Sequence, residues 1–266
     1  MSGDVTGESY SGGIVGVSKG SVSNATMSGD MTAADFTGRI GGIIGEGGPV
    51  SDSLMSGDVT GGQFGSFVGG AAGYADEPIS NTTVTGDVTG YYNNVGGVAG
   101  QIYNSNISTV VVNGNVTSTG DIVGGLAGAS GGSTAKVISD SYVTGSVTGG
   151  DKVGGVVGEN EINIDRAYAV GKVTGETNVG GAVGLNNGGS GTDGYWDTNK
   201  TRQTASAGGN DPKTAALKGA NAKTQTKLDL AANRSVVDSS TAISYPHLPA
   251  NTQEPAPGLE SLPTPP

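Results

Sequence analysis

A block of six residues, in which Gly-Gly is followed by two apolar residues and a third glycine, returns seven times at nearly constant spacing. It reads SGGIVG at 11–16, IGGIIG at 40–45, VGGAAG at 68–73, VGGVAG at 95–100, VGGLAG at 123–128, VGGVVG at 153–158 and VGGAVG at 179–184. The closing glycines are 29, 28, 27, 28, 30 and 26 residues apart. A second motif keeps the same beat: MSGDVTG at 1–7, MSGDMTA at 27–33, MSGDVTG at 55–61, VTGDVTG at 84–90, VNGNVTS at 112–118, VTGSVTG at 143–149 and VGKVTG at 170–175. A period of about 28 residues maintained seven times marks a repeat architecture, in which no unit buries its own apolar face and each depends on its neighbours.

The unit reads as two short strands joined by turns. In YVTGSVTG, Val143, Gly145 and Val147 alternate with Thr144, Ser146 and Thr148, the period of two expected of a half-buried strand. Valine and threonine favour strands, and the connecting pieces, such as YNSN at 103–106, form turns. The predicted fold is all-β: a parallel β-solenoid of about seven coils. Rungs about 4.8 Å apart would make it roughly 35 Å long. The unit is too short for a propeller blade of about 40 residues. The reading stacks Val5, Val59, Val88, Val116, Val147 and Val173 in one interior column. Both faces of the Gly-Gly block are apolar or bare, so the column Ile14, Ile43, Ala71, Val98, Leu126, Val156 and Ala182 needs a partner. That partner is either another wall of the same coil, approached closely because glycine has no side chain, or a second chain at an apolar stripe.

Composition removes several classes. The 51 glycines follow no Gly-x-y triplet, which excludes collagen, and there is no cysteine for a disulfide or thiol chemistry. No apolar run is long enough for a membrane helix. Residues 1–199 hold 19 acids and six bases, whereas residues 200–266 hold five acids and seven bases. The acidic repeat argues against nucleic acid as a partner. The N-terminus lacks a basic-then-apolar leader pattern. The first coil would expose an unpaired edge, which predicts cover by upstream sequence, a partner chain or a second copy, and so a homo-oligomer or larger assembly.

The stretches VGGVVGEN…INIDRAYAVGKVTG (153–175) and NVGGAVGLNNGGSGTDGYWDTNKTRQTASAGG (178–209) resemble the GLUG-motif repeats of bacterial and haloarchaeal surface proteins. The resemblance covers residues 1–198. It implies an extracellular or cell-surface β-solenoid with a structural or adhesive role, meeting a surface glycan or a host receptor. After the repeats, residues 199–247 read as a capping region. Within it, DPKTAALKG predicts a short helix near 211–218, with Asp211 as N-cap and Pro212 in the first turn. Residues 248–266 read as an extended Pro-rich tail or linker.

Candidate chemistry is sparse. No His-Glu-x-x-His or Gly-x-Ser-x-Gly pattern occurs, and the single histidine, His247, lies beside prolines. Tyr195 and Trp196 are expected to plug the end of the core, with sugar stacking as the alternative. One acidic column stands out: Asp4, Asp30, Asp58 and Asp87 occupy one motif position, followed by Asn115, Ser146 and Lys172. In register, adjacent carboxylates would repel by on the order of 1 kcal/mol even in water. Splaying into solvent, high salt or bound calcium or sodium would relieve this. A non-enzymatic scaffold or adhesin is the leading reading. The alternatives are a virion spike or tail fibre of a halophilic archaeal virus and a polysaccharide-active β-helix enzyme.

Overall fold

The computed structural model describes residues 1–35, 38–189, 193–209, 242–243, 245 and 260–261. The expected helix near 211–218 and most of the Pro-rich tail lie outside the described residues. The repeat forms a parallel β-solenoid of seven coils. Each coil has four sides rather than two strands, as the fifth shows: Val116–Ser118 in the first sheet, Val123–Gly124 in the second, Ala127–Gly131 in the third, and Val137–Ser139 with Tyr142–Val143 in the fourth. The one antiparallel pairing among the described residues joins Ala242–Ile243 to Glu260–Ser261. No helix among them is long and apolar enough to cross a membrane.

Register follows the motif. In the first sheet Val5, Met31, Val59, Val88, Val116, Val147 and Val173 are successive partners, so the expected valine column exists, with Met31 filling the second rung. From Met31 onward these side chains are at most 2% exposed. Burying each contributes roughly 1.5–3 kcal/mol. The alternate column is threonine at every rung: Thr6, Thr32, Thr60, Thr89, Thr117, Thr148 and Thr174.

The Gly-Gly block turns a corner between the second and third sheets instead of running as one strand. Ile43, Ala71, Val98, Leu126, Val156 and Ala182 are all 0% exposed in the core, so the apolar column is internal. The corner explains the glycines. A Cβ on Gly124 would lie 1.9 Å from the carbonyl oxygen of Ala127, and one on Gly125 would lie 2.1 Å from that of Gly155 and 2.8 Å from the Val143 methyls of the fourth sheet. The corner's own carbonyl at Gly124, and the next rung and the fourth sheet at Gly125, leave no room for a side chain.

The fourth sheet carries a second backbone device. Asn24, Asp52, Asn81, Thr109, Asp140 and Arg166 all have positive φ, between 44° and 57°. They form a column along that sheet: Asn24, Thr109, Asp140 and Arg166 fall between two strands of their coil, whereas Asp52 and Asn81 lie within the continuous strands Val50–Met55 and Ile79–Val84. Asn and Asp tolerate this conformation best. The next residue often spans the positive-φ position: Ser53, Thr82 and Ser141 donate their hydroxyls to the carbonyls two residues back, at 2.6–2.8 Å. At Arg166 the strain is met by a bidentate ion pair, with Nε and Nη2 donating to the Asp140 carboxylate at 2.9 and 2.8 Å. These bonds raise the Arg166 pKa and keep its charge fixed.

The last coil is closed by the chain that follows it. Trp196 lies inside, 3% exposed, against Gly181, whose missing Cβ makes room for the indole. Its Nε1 donates to the Gln203 carbonyl at 3.0 Å. Residues 203–207 then cross the open edges: Gly181 N donates to Ala205 O, Ala207 N to Val183 O, and Ser206 Oγ accepts from Val183 N at 2.7 Å. Edge groups that would otherwise template further pairing are thereby satisfied.

Candidate functional site

Asp4, Asp30, Asp58 and Asp87 stand in register on the outside of the corner that leads into the first sheet, and all four are exposed. They are not simply splayed into solvent. Asp4 Oδ1 accepts from Asp30 N at 3.0 Å, Asp30 Oδ1 from Asp58 N at 2.8 Å, Asp58 Oδ1 from Asp87 N at 2.8 Å, and Asp87 Oδ1 from Asn115 N at 2.7 Å. Asn115 continues the pattern by accepting from Ser146 N at 3.1 Å. Each side chain thus satisfies a backbone donor of the next rung at a corner where the strand ladder is interrupted. A charge-assisted bond of this kind is worth about 1.5–3 kcal/mol, enough to offset the repulsion between neighbours.

The four carboxylates therefore have a structural task that needs no cation. Among the described residues, no three His, Cys, Asp or Glu side chains converge in a group that could hold a metal ion. A second ladder of the same type runs along the next corner, where Asp35 Oδ1 accepts from Gln63 N, Asn93 Oδ1 from Asp121 N and Asp121 Oδ1 from Asp151 N, at 2.9–3.1 Å. At its end the Thr177 hydroxyl, with Asn178, lowers the Asp151 pKa.

The ladder leads to an expected result. The double substitution Asp30→Asn with Asp58→Asn keeps both acceptors, as Asn115 does naturally, and removes two charges. Melting of the native chain should rise with added NaCl, because salt screens the remaining repulsion, and the double variant should show a shallower rise. An identical salt response in both proteins would remove repulsion along this column from the account.

A second cluster went unnoticed in the sequence. Val111, Tyr142, Tyr168 and Tyr195 are successive partners on the outer side of the fourth sheet. Tyr142 and Tyr168 stack with ring centroids 5.1 Å apart and planes 4° from parallel. Tyr245, from the segment beyond the repeats, closes over them, its ring 6.3 Å from that of Tyr168. Its hydroxyl donates to Oδ2 of Asp197. Asp197 is fully buried and also caps the one-turn helix Thr198–Thr201, accepting from Asn199 N and Lys200 N. Trp196 and Tyr195 thus divide: the first plugs the core as expected, and the second lies outside the wall. Their alternation by strand period was the signal available. Nothing periodic pointed to Tyr245.

These features define a capped, four-sided β-solenoid. Comparison of the chain with known protein families, characterised proteins and solved structures gives no match.

Proposed function

We propose that the chain is a non-enzymatic, rigid β-solenoid that serves as a scaffold or adhesive element of a cell surface or extracellular assembly. The observation that carries this reading is the unbroken stack: one core runs from Met27 to Trp196 with every rung in register. Contacts between successive rungs make such a rod stiff along its length, and its four walls offer extended surfaces. Its resemblance to GLUG-motif surface proteins supports the same role. The acidic balance of residues 1–199, 19 acids against six bases, suits a surface protein working in high salt. A homo-oligomer or larger array is the working state of this proposal.

The test is localisation of the native protein. Antibodies raised against the chain should label the outer face of intact, unpermeabilised producing cells. Labelling that appears only after permeabilisation would overturn the proposal.

A further inference from the structure

The corner between the first and second sheets carries an open cleft of about 500 Å³ across coils two to five. Its size falls within the range of about 300–1,000 Å³ of small-molecule clefts. The lining combines two aromatic residues, Phe64 and Tyr91, with the polar residues Asp35, Gln63, Thr60 and Thr119. Gly61 and Gly62, both buried, complete the lining together with Ala33. Phe64 is 51% exposed and Tyr91 43%. Leaving large rings in water is unfavourable, and here two of them flank one polar cleft.

The rings are held by the rungs around them. Gly65 N donates to Gly62 O at 3.0 Å, closing a turn that presents Phe64 at its tip, and Gln63 N is tied to Asp35 Oδ1 on the rung before. The backbone behind Tyr91 is fixed from the rung after it: Thr119 Oγ1 donates to Tyr91 O at 3.1 Å and Ser118 Oγ to Tyr92 O at 2.8 Å. Both rings thus project from pinned backbone, which reduces the ordering cost of binding.

We propose that this cleft binds a neutral oligosaccharide. A pyranose has an apolar face, which stacks on an aromatic ring, and a rim of hydroxyls, which suits a lining that mixes Asp, Gln and Thr with two aromatic residues. Asp35 and the net charge of −11 disfavour phosphate, sulfate and uronic acids. The lining comes from four successive rungs, a span of roughly 14 Å at about 4.8 Å per rung, so the cleft suits a linked chain of sugars better than one compact ligand. The scaffold role does not depend on this site.

Isothermal titration of the full chain with cellotetraose, maltotetraose, mannotetraose and chitotetraose tests the assignment, with adenosine as a flat-ring control. At least one tetrasaccharide should bind saturably with Kd below about 1 mM, and the double variant Phe64→Ala, Tyr91→Ala should weaken it at least tenfold. Both side chains are exposed, so the variant's melting temperature should stay within about 2 °C of the parent. The proposal is overturned by no saturable binding of any of the four sugars at 10 mM, by equal affinity for adenosine, or by sugar binding that the double variant leaves unchanged. A failed titration with intact surface labelling removes the cleft and leaves the scaffold.

Discussion

Alanine in place of Gly114 should lower the melting temperature by on the order of 10 °C, while alanine in place of Gly3 should leave it unchanged or slightly raised. Both residues are the glycine of the opening motif. A Cβ on Gly114 would sit 1.9 Å from the carbonyl oxygen of Gly86, 2.5 Å from its carbon and 3.1 Å from Asp87 N, so the clash is with backbone of the adjacent rung. Relief requires neighbouring coils to separate, at a cost of about 3 kcal/mol or more. For a chain of this size each kcal/mol corresponds to roughly 2–4 °C. A Cβ on Gly3 meets nothing within 4 Å, since it points away from the Gly29 rung stacked on the other side. There the alanine acts only on the unfolded state, by well under about 1 kcal/mol in the stabilising direction. Thermal melts followed by circular dichroism would decide. Equal effects at the two positions would mean that close approach of rungs does not explain the motif glycine.

Replacing Trp196 by alanine should cost about 3–5 kcal/mol, the range for removing a large aromatic from a core. The indole is 3% exposed, fills the space left by Gly181 and anchors Gln203 through Nε1. Its loss should loosen residues 203–207 and with them the edge of the last coil. Hydrogen exchange should therefore rise first in Val183–Asn186 and Thr177–Gly180, and least in the central coils. Trp196→Phe should retain most of the stability. As Trp196 is the only tryptophan, its emission in the native chain should be that of a buried indole and should shift red on unfolding. A Trp196→Ala protein that melts within 2 °C of the parent would show that the last coil is closed by something else.

The sequence by itself determined what the rungs share. Parallel, in-register stacking makes the neighbour of any side chain the residue one period away. The columns Val5 to Val173 and Ile43 to Ala182 could therefore be read as contacts from spacing alone, as could the alignment of Asp4, Asp30, Asp58 and Asp87. What lies across the coil has no such period. The Gly-Gly block has apolar or bare positions on both faces, a pattern that a straight buried strand and a tight corner satisfy equally. Only the approach of the Ala127 carbonyl to Gly124, and of the fourth sheet to Gly125, fixed the corner and gave the coil four sides. The positive-φ column hid behind mixed identities, since Asn24 and Asp52 suggest it but Thr109 and Arg166 do not. The Asp column announced repulsion. Its resolution depends on where the next rung's N–H points, which is backbone geometry. Tyr245 reaches Asp197 across 48 residues with no repeat to guide it. Periodicity encodes neighbours along the stack, whereas contacts between walls and from non-repeating chain are set by packing, and only the folded structure decides them.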